Sequence, residues 1–153
     1  ADRIGHGTYL LEPDEIQDPG ITDPETYVKQ LGQYIADRRI TLEICLTSNL
    51  QTSPKMKSIE ENTFRKMREQ RISTTLCTDN RLVSHTTVTN EYTLAVEKLG
   101  LTPKDLKSIA VYGFKRSFFP GDYAKKRKYV RSVIDYYESL EEAHLGVRTS
   151  TKL

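Results

Sequence analysis

Apolar residues along this chain follow two rhythms. Short runs alternate with period two, as strands do, and between them lie stretches whose apolar positions recur every three or four residues, as on amphipathic helices. The first run, Arg3-Ile4-Gly5-His6-Gly7, is brief and leads into a loop over residues 12–20 rich in Pro, Asp and Gly. Thr22-Asp23-Pro24-Glu25 then joins a capping-box pattern to a proline at the first helical position, and Val28, Leu31 and Ile35 share a face, predicting a helix to about Arg39. In the second run, Ile40 to Leu46, Leu42, Ile44 and Leu46 fall on one side and Thr41, Glu43 and Cys45 on the other. A polar loop, Thr47 to Thr52, is expected after it, then a short helix carrying Ile59, Thr63, Phe64 and Met67. The third run, Ile72 to Asp79, alternates in the same way and predicts that Asp79 ends a strand.

Beyond Asp79 the pattern is helical. Tyr92, Ala95, Val96 and Leu99 make one stripe that stops at Gly100; Thr102-Pro103-Lys104-Asp105 caps a second helix that turns Leu106, Ile109 and Ala110 inward until Pro120-Gly121; Val130, Val133, Ile134, Tyr137 and Leu140 mark a third. The expected division is a structured part over residues 1–146 and a frayed tail over 147–153. Strands alternating with helices point to β/α units around a parallel sheet.

The chain has 153 residues, 23 basic against 21 acidic, and no run approaching the ~20 apolar residues of a membrane span. Neither nucleic acid nor membrane is expected as a partner, and a cytoplasmic location is expected. Its two cysteines, Cys45 and Cys77, lie in β-prone runs and are read as reduced and buried. Seven basic residues between Lys115 and Arg131, interleaved with Phe118, Phe119, Tyr123 and Tyr129, read as a solvated helix face, since the same helix continues into Glu138, Glu141 and Glu142.

Strand C-termini are where barrels and doubly wound sheets place their chemistry. Three ends offer polar groups: His6 between two glycines, Ser48-Asn49, and Asp79-Asn80. Singly, such a histidine is more often a loop or core residue than a ligand, and such an aspartate more often a cap. Their common location makes them candidates together.

Arg3-Ile4-Gly5-His6-Gly7, Glu43-Ile44-Cys45-Leu46-Thr47-Ser48-Asn49-Leu50-Gln51-Thr52, Cys77-Thr78-Asp79-Asn80-Arg81-Leu82-Val83-Ser84 and Glu91-Tyr92, in that order and spacing, closely resemble the adenosine deaminase family. Gly113 to Phe118 extends the resemblance into the late helix. It implies an α/β fold, the C-terminal part (about three β/α units plus terminal helices) of a (β/α)8 TIM-type barrel, and zinc-dependent hydrolysis of adenosine to inosine and ammonia. By the same resemblance His6 would handle the proton of the zinc-bound water, Asp79 would be a zinc ligand, and Asn80 would contact purine N7. Many members carry an aspartate where Asn80 stands. N7 only accepts, and an amide donates to it at any pH, whereas a carboxylate must first be protonated.

The family's paired zinc histidines, its third zinc histidine and the glutamate that protonates purine N1 precede the His6 motif and have no counterpart here. The remaining histidines, His85 and His144, do not form a His-x-His pair. A barrel needs eight strands and ~250 residues. The expectation is therefore a C-terminal piece, beginning inside an element, that is inactive alone and is completed by the upstream portion of the barrel from the same gene product or a second chain. A relative acting on adenine, AMP or a related nucleoside, and a non-catalytic interaction module, are the alternatives.

Overall fold

The computed structural model describes residues 2–146; the expected tail over 147–153 lies outside them. Strands β1 (Arg3–Gly5), β2 (Thr41–Ile44) and β3 (Ser73–Leu76) form one parallel sheet in the order β1-β2-β3, with Arg3 opposite Thr41 and Thr41 opposite Ser73. Parallel neighbours need crossover connections, and helices α1 (Pro24–Asp37) and α3 (Phe64–Glu69) supply them. One face of the sheet is apolar: Leu42, Ile44 and Leu76 pack with Val28 and Ile35 of α1 and with Phe64 and Met67 of α3 in the main core. Leu42, Ile44, Phe64 and Met67 are each fully buried, a burial that contributes about 2 kcal/mol apiece.

The opposite face is polar. Thr41 and Ser73 join hydroxyls at 2.8 Å, and Arg3 Nε donates to Glu43 Oε1 at 2.5 Å. Helix α6 (Pro103–Lys115) lies against β3 on this side, where Arg3 Nη1 donates to the Gly113 carbonyl at 3.3 Å. A Cβ at Gly113 would stand 2.6 Å from Thr75 Oγ1, so the absence of a side chain sets this approach.

Two short helices follow strands: α2 (Leu46–Thr52) after β2 and α4 (Arg81–Ser84) after β3. Helix α5 (Val88–Leu99) is capped by Thr87 and closed by Gly100 at φ 66°, and α6 opens on the reciprocal Thr102/Asp105 capping box that its sequence predicts. Burial works against ionisation of Asp105, but the Thr102 hydroxyl and amide and the Arg68 guanidinium prevail and hold its carboxyl below the ordinary 3.8. Helix α7 (Tyr123–Leu145), capped by Asp122, sets Val130 and Ile134 against Val111 in a second, smaller core.

Several sequence expectations change, each for a local reason. Residues 46–52 form α2 rather than the end of a strand and a loop: Leu46 is fully buried, and Glu91 accepts from the Thr47 backbone N–H at the helix start. Because β2 stops at Ile44, β3 loses its partner at Leu76, and Asp79 lies beyond the strand rather than at its end. The short helix around Ile59 to Met67 is a 3-10 turn (Ile59–Glu61) followed by α3, with Asn62 Oδ1 accepting from Phe64 N between them. Another 3-10 turn, Pro13–Glu15, interrupts the first loop. The cap of α1 is Asp23 alone, and the helix stops at Asp37. Helix α6 already ends at Lys115, ahead of Pro120. Val96 and Leu140, read as inward, are 42% and 40% exposed, while the charged Lys107 and Glu141 are buried. Both thiols are free, with Cys45 buried and Cys77 only partly so.

Candidate active site

The ends of β1 and β3 and the start of α2 meet in one place. His6 follows β1 in the left-handed backbone region (φ 58°), and Asp79 takes the same conformation (φ 55°) past β3. This turns both side chains toward α2. His6 Nδ1 lies 2.7 Å from Asn49 Oδ1, and Ser48 Oγ donates to Asp79 Oδ2 at 2.7 Å. Ser48 and Asn49 are buried, whereas His6 and Asp79 are roughly half exposed, so α2 is a fixed base carrying two accessible groups.

With Asn49 presenting Oδ1, an acceptor, the histidine proton belongs on Nδ1, and Nε2 carries a lone pair. That lone pair faces Asp79 Oδ2 across 3.8 Å, too far for a hydrogen bond. Two electron-rich atoms held apart in this way suit a shared proton or cation. Glu91 secures the arrangement from beneath. It is fully buried at the start of α2 and accepts from Thr47 N (3.2 Å), Thr47 Oγ1 (2.5 Å) and Thr86 Oγ1 (2.8 Å). A carboxylate there also complements the positive end of the helix.

Asn80 is exposed and caps α4, its Oδ1 accepting from Leu82 N and Val83 N at 3.2 Å each. The cap uses only the acceptor end of the amide, leaving the N–H2 end for other contacts. Cys45 and Cys77 sit close behind. Burial, with help from Cys77, Asp79 and Glu91, pushes the Cys45 thiol up to about 12, and burial also raises Cys77, so both are neutral thiols at neutral pH.

Among the described residues no three His, Cys, Asp or Glu side chains stand together as a metal site. A catalytic zinc takes about three protein ligands, so these residues do not complete a zinc centre by themselves. Asp79 and His6 are two facing side chains and fall short of that number. The sequence singles out His6, Asp79 and Asn80 as candidates but not the supporting contacts of Ser48, Asn49 and Glu91. Position at a strand end signalled the first two of these. Glu91 was signalled only as part of the Glu91-Tyr92 motif, and its burial on a helix face left its contact with α2 unread.

A family model described as adenosine deaminase matches residues 1–136. The chain belongs to the adenosine deaminase family. Adenosine deaminase 1 of Streptomyces coelicolor is 35% identical over 122 residues, covering 80% of this chain and 30% of that protein. Among solved structures, the N6-methyl-AMP deaminase of Arabidopsis thaliana is 27% identical with a TM-score of 0.66, over 94% of this chain and 36% of the other. A Burkholderia ambifaria amidohydrolase with bound zinc shares the fold, with a TM-score of 0.72 at 19% identity, over 96% of this chain and 36% of its own. The chain thus spans about a third of the length of the proteins it matches, and its α/β fold is that of the C-terminal part of the (β/α)8 barrel.

Proposed function

We propose that this chain supplies the C-terminal part of the active site of a zinc-dependent deaminase that hydrolyses adenosine to inosine and ammonia. The observation that carries the reading is the facing pair of His6 Nε2 and Asp79 Oδ2, fixed by Asn49 and Ser48 on a buried helix, in a member of the adenosine deaminase family. Asp79 would serve as one ligand, with the others supplied by the upstream portion of the barrel. Zinc, when bound, would make hydroxide available near neutral pH.

The roles of this chain's own residues follow from their contacts. The Nδ1–H bond to Asn49 leaves His6 Nε2 able to accept a proton from attacking water, and the carboxylate across the gap stabilises the imidazolium that results. The Ser48 hydroxyl fixes the rotation of the Asp79 carboxylate. Asn80, anchored through Oδ1, can donate from Nδ2 to the acceptor N7 of a purine.

A second reading keeps this chemistry and changes the aminopurine to AMP, adenine or a related nucleoside. It is favoured by the likeness of this chain to the N6-methyl-AMP deaminase over 94% of its residues. Both readings are tested in the full-length enzyme by measuring zinc content together with turnover of adenosine, AMP and adenine. Asp79→Ala is expected to lose zinc and activity together, while His6→Ala loses turnover by about 100-fold or more and keeps most of its metal. A full-length protein free of zinc and inactive on all three substrates would refute the deaminase assignment, and equal zinc loss in both variants would refute the role of His6.

A further inference from the structure

The basic residues between Lys115 and Arg131 do not all face open solvent. A cleft of about 950 Å³ opens between α6 and α7 on one side and the C-terminal ends of α1 and α3 with the start of β3 on the other. This is the end of the sheet opposite His6 and Asp79. Six cations line it without a carboxylate partner among the described residues: Arg39, Arg71, Lys115, Arg116, Lys126 and Arg127. Two further arginines in its wall are already held, Arg68 by Asp105 at 2.5 Å and Arg131 by Asp135 at 2.7 Å.

A cation at a helix end is ordinary, because it meets the negative end of the helix dipole. Six of them converging from four parts of the chain repel one another. Lys115 registers this: burial, then Arg116 and Arg39, draw its ammonium below the ordinary 10.5. Arg39 and Arg71 occupy the same place in successive β/α units, the residue just ahead of the strand-entering Ile40 and Ile72, and both backbones are left-handed (φ 53° and 59°). Glycine would fill those turns without strain. Repulsion and backbone strain thus coincide at one concave surface, and a multivalent anion would relieve the repulsion.

We infer that this cleft binds a chain of linked phosphates, carried by a nucleoside triphosphate or by inorganic oligophosphate. The volume of the cleft exceeds what a single phosphate needs, and guanidinium groups match phosphate oxygens in pairs. The site is independent of the deaminase reading, since its readout is binding and not turnover.

Calorimetric titration of the protein with tripolyphosphate, ATP and orthophosphate in about 150 mM NaCl tests it. Tripolyphosphate should bind at least about tenfold more tightly than orthophosphate, with an affinity that falls as salt rises. ATP binding more tightly than tripolyphosphate assigns the site to a nucleotide, and equal affinities assign it to the oligophosphate itself. Arg71→Ala with Arg116→Ala should weaken binding about tenfold or more at an unchanged circular-dichroism spectrum, whereas Lys29→Ala with Lys57→Ala, both outside the cleft, should not. Tripolyphosphate no tighter than orthophosphate, equal loss in the two double variants, or binding to single-stranded RNA alone would overturn the inference.

Discussion

His6 and Asp79 bear side chains yet hold their backbones in the left-handed region, where a residue other than glycine costs roughly 1–2 kcal/mol. The hydrogen bonds to Asn49 and Ser48 offset part of that cost, and the turn aims both groups at one gap. His6→Gly should therefore be more stable than His6→Ala by about 1 kcal/mol, because both lose the imidazole and only alanine keeps the strain. Urea denaturation of the two variants measures it; alanine equal to or above glycine would mean that the turn relaxes once the side chain is gone. These residues were legible in the sequence because the motifs around them are ordered and because both follow period-two runs. Their geometry was not. Alternation carried the third strand on to Asp79, whereas its pairing ends at Leu76 with a last bond from Cys77 N to the Ile44 carbonyl, where β2 turns toward α2.

At the scale of elements, helix stripes and caps read well wherever apolar spacing and a cap agreed, as at Thr102/Asp105 and at Gly100. They read poorly where a tertiary partner decided the matter. Thr47-Ser48-Asn49 looks like a loop by composition, and the buried Glu91 makes it a helix. The contact between α6 and α7 is the other case. Lys107, 1% exposed, reaches Glu138 and Glu141 at 3.1 Å each, and its ammonium lies 6.0 Å from the centre of the Tyr137 ring. Amphipathic patterning puts every charge outside, so this pairing is invisible to it. Lys107→Met should cost about 3–5 kcal/mol by removing the buried cation that Glu138 and Glu141 share, and Lys107→Met with Glu141→Leu should recover much of that loss. Thermal or urea melts read both, and a double variant no more stable than the single would show that packing, not charge, holds the pair.

Over the whole molecule, one sheet separates two ends of different character. The strand C-termini carry His6, Asp79 and Asn80, and the N-terminal end carries the cationic cleft. No helix among the described residues is long and apolar enough to cross a membrane. Buried weak acids give the fold a defined alkaline limit. Burial raises Cys45 from 9.0 and Tyr92 from 10.0, each to about 12. Above about pH 9 the unfolded chain releases protons that the folded chain retains, so stability is full below that pH and falls steadily toward pH 12. Urea midpoints taken from pH 8 to 11 should decline across this window, and a flat profile would contradict the burial of these groups.

Helix α6 joins the two cores, giving Ile109 to the larger and Val111 to the smaller. It reaches the sheet at Gly113, where a methyl group would meet the Thr75 hydroxyl. Remove that hydroxyl, and the remaining distance of 3.4 Å to the Thr75 Cβ becomes nearly ordinary contact. Across descendants of this sequence the two positions are therefore not free to drift separately: a larger residue at 113 can be inherited only where 75 has already become small, so each records the history of the other.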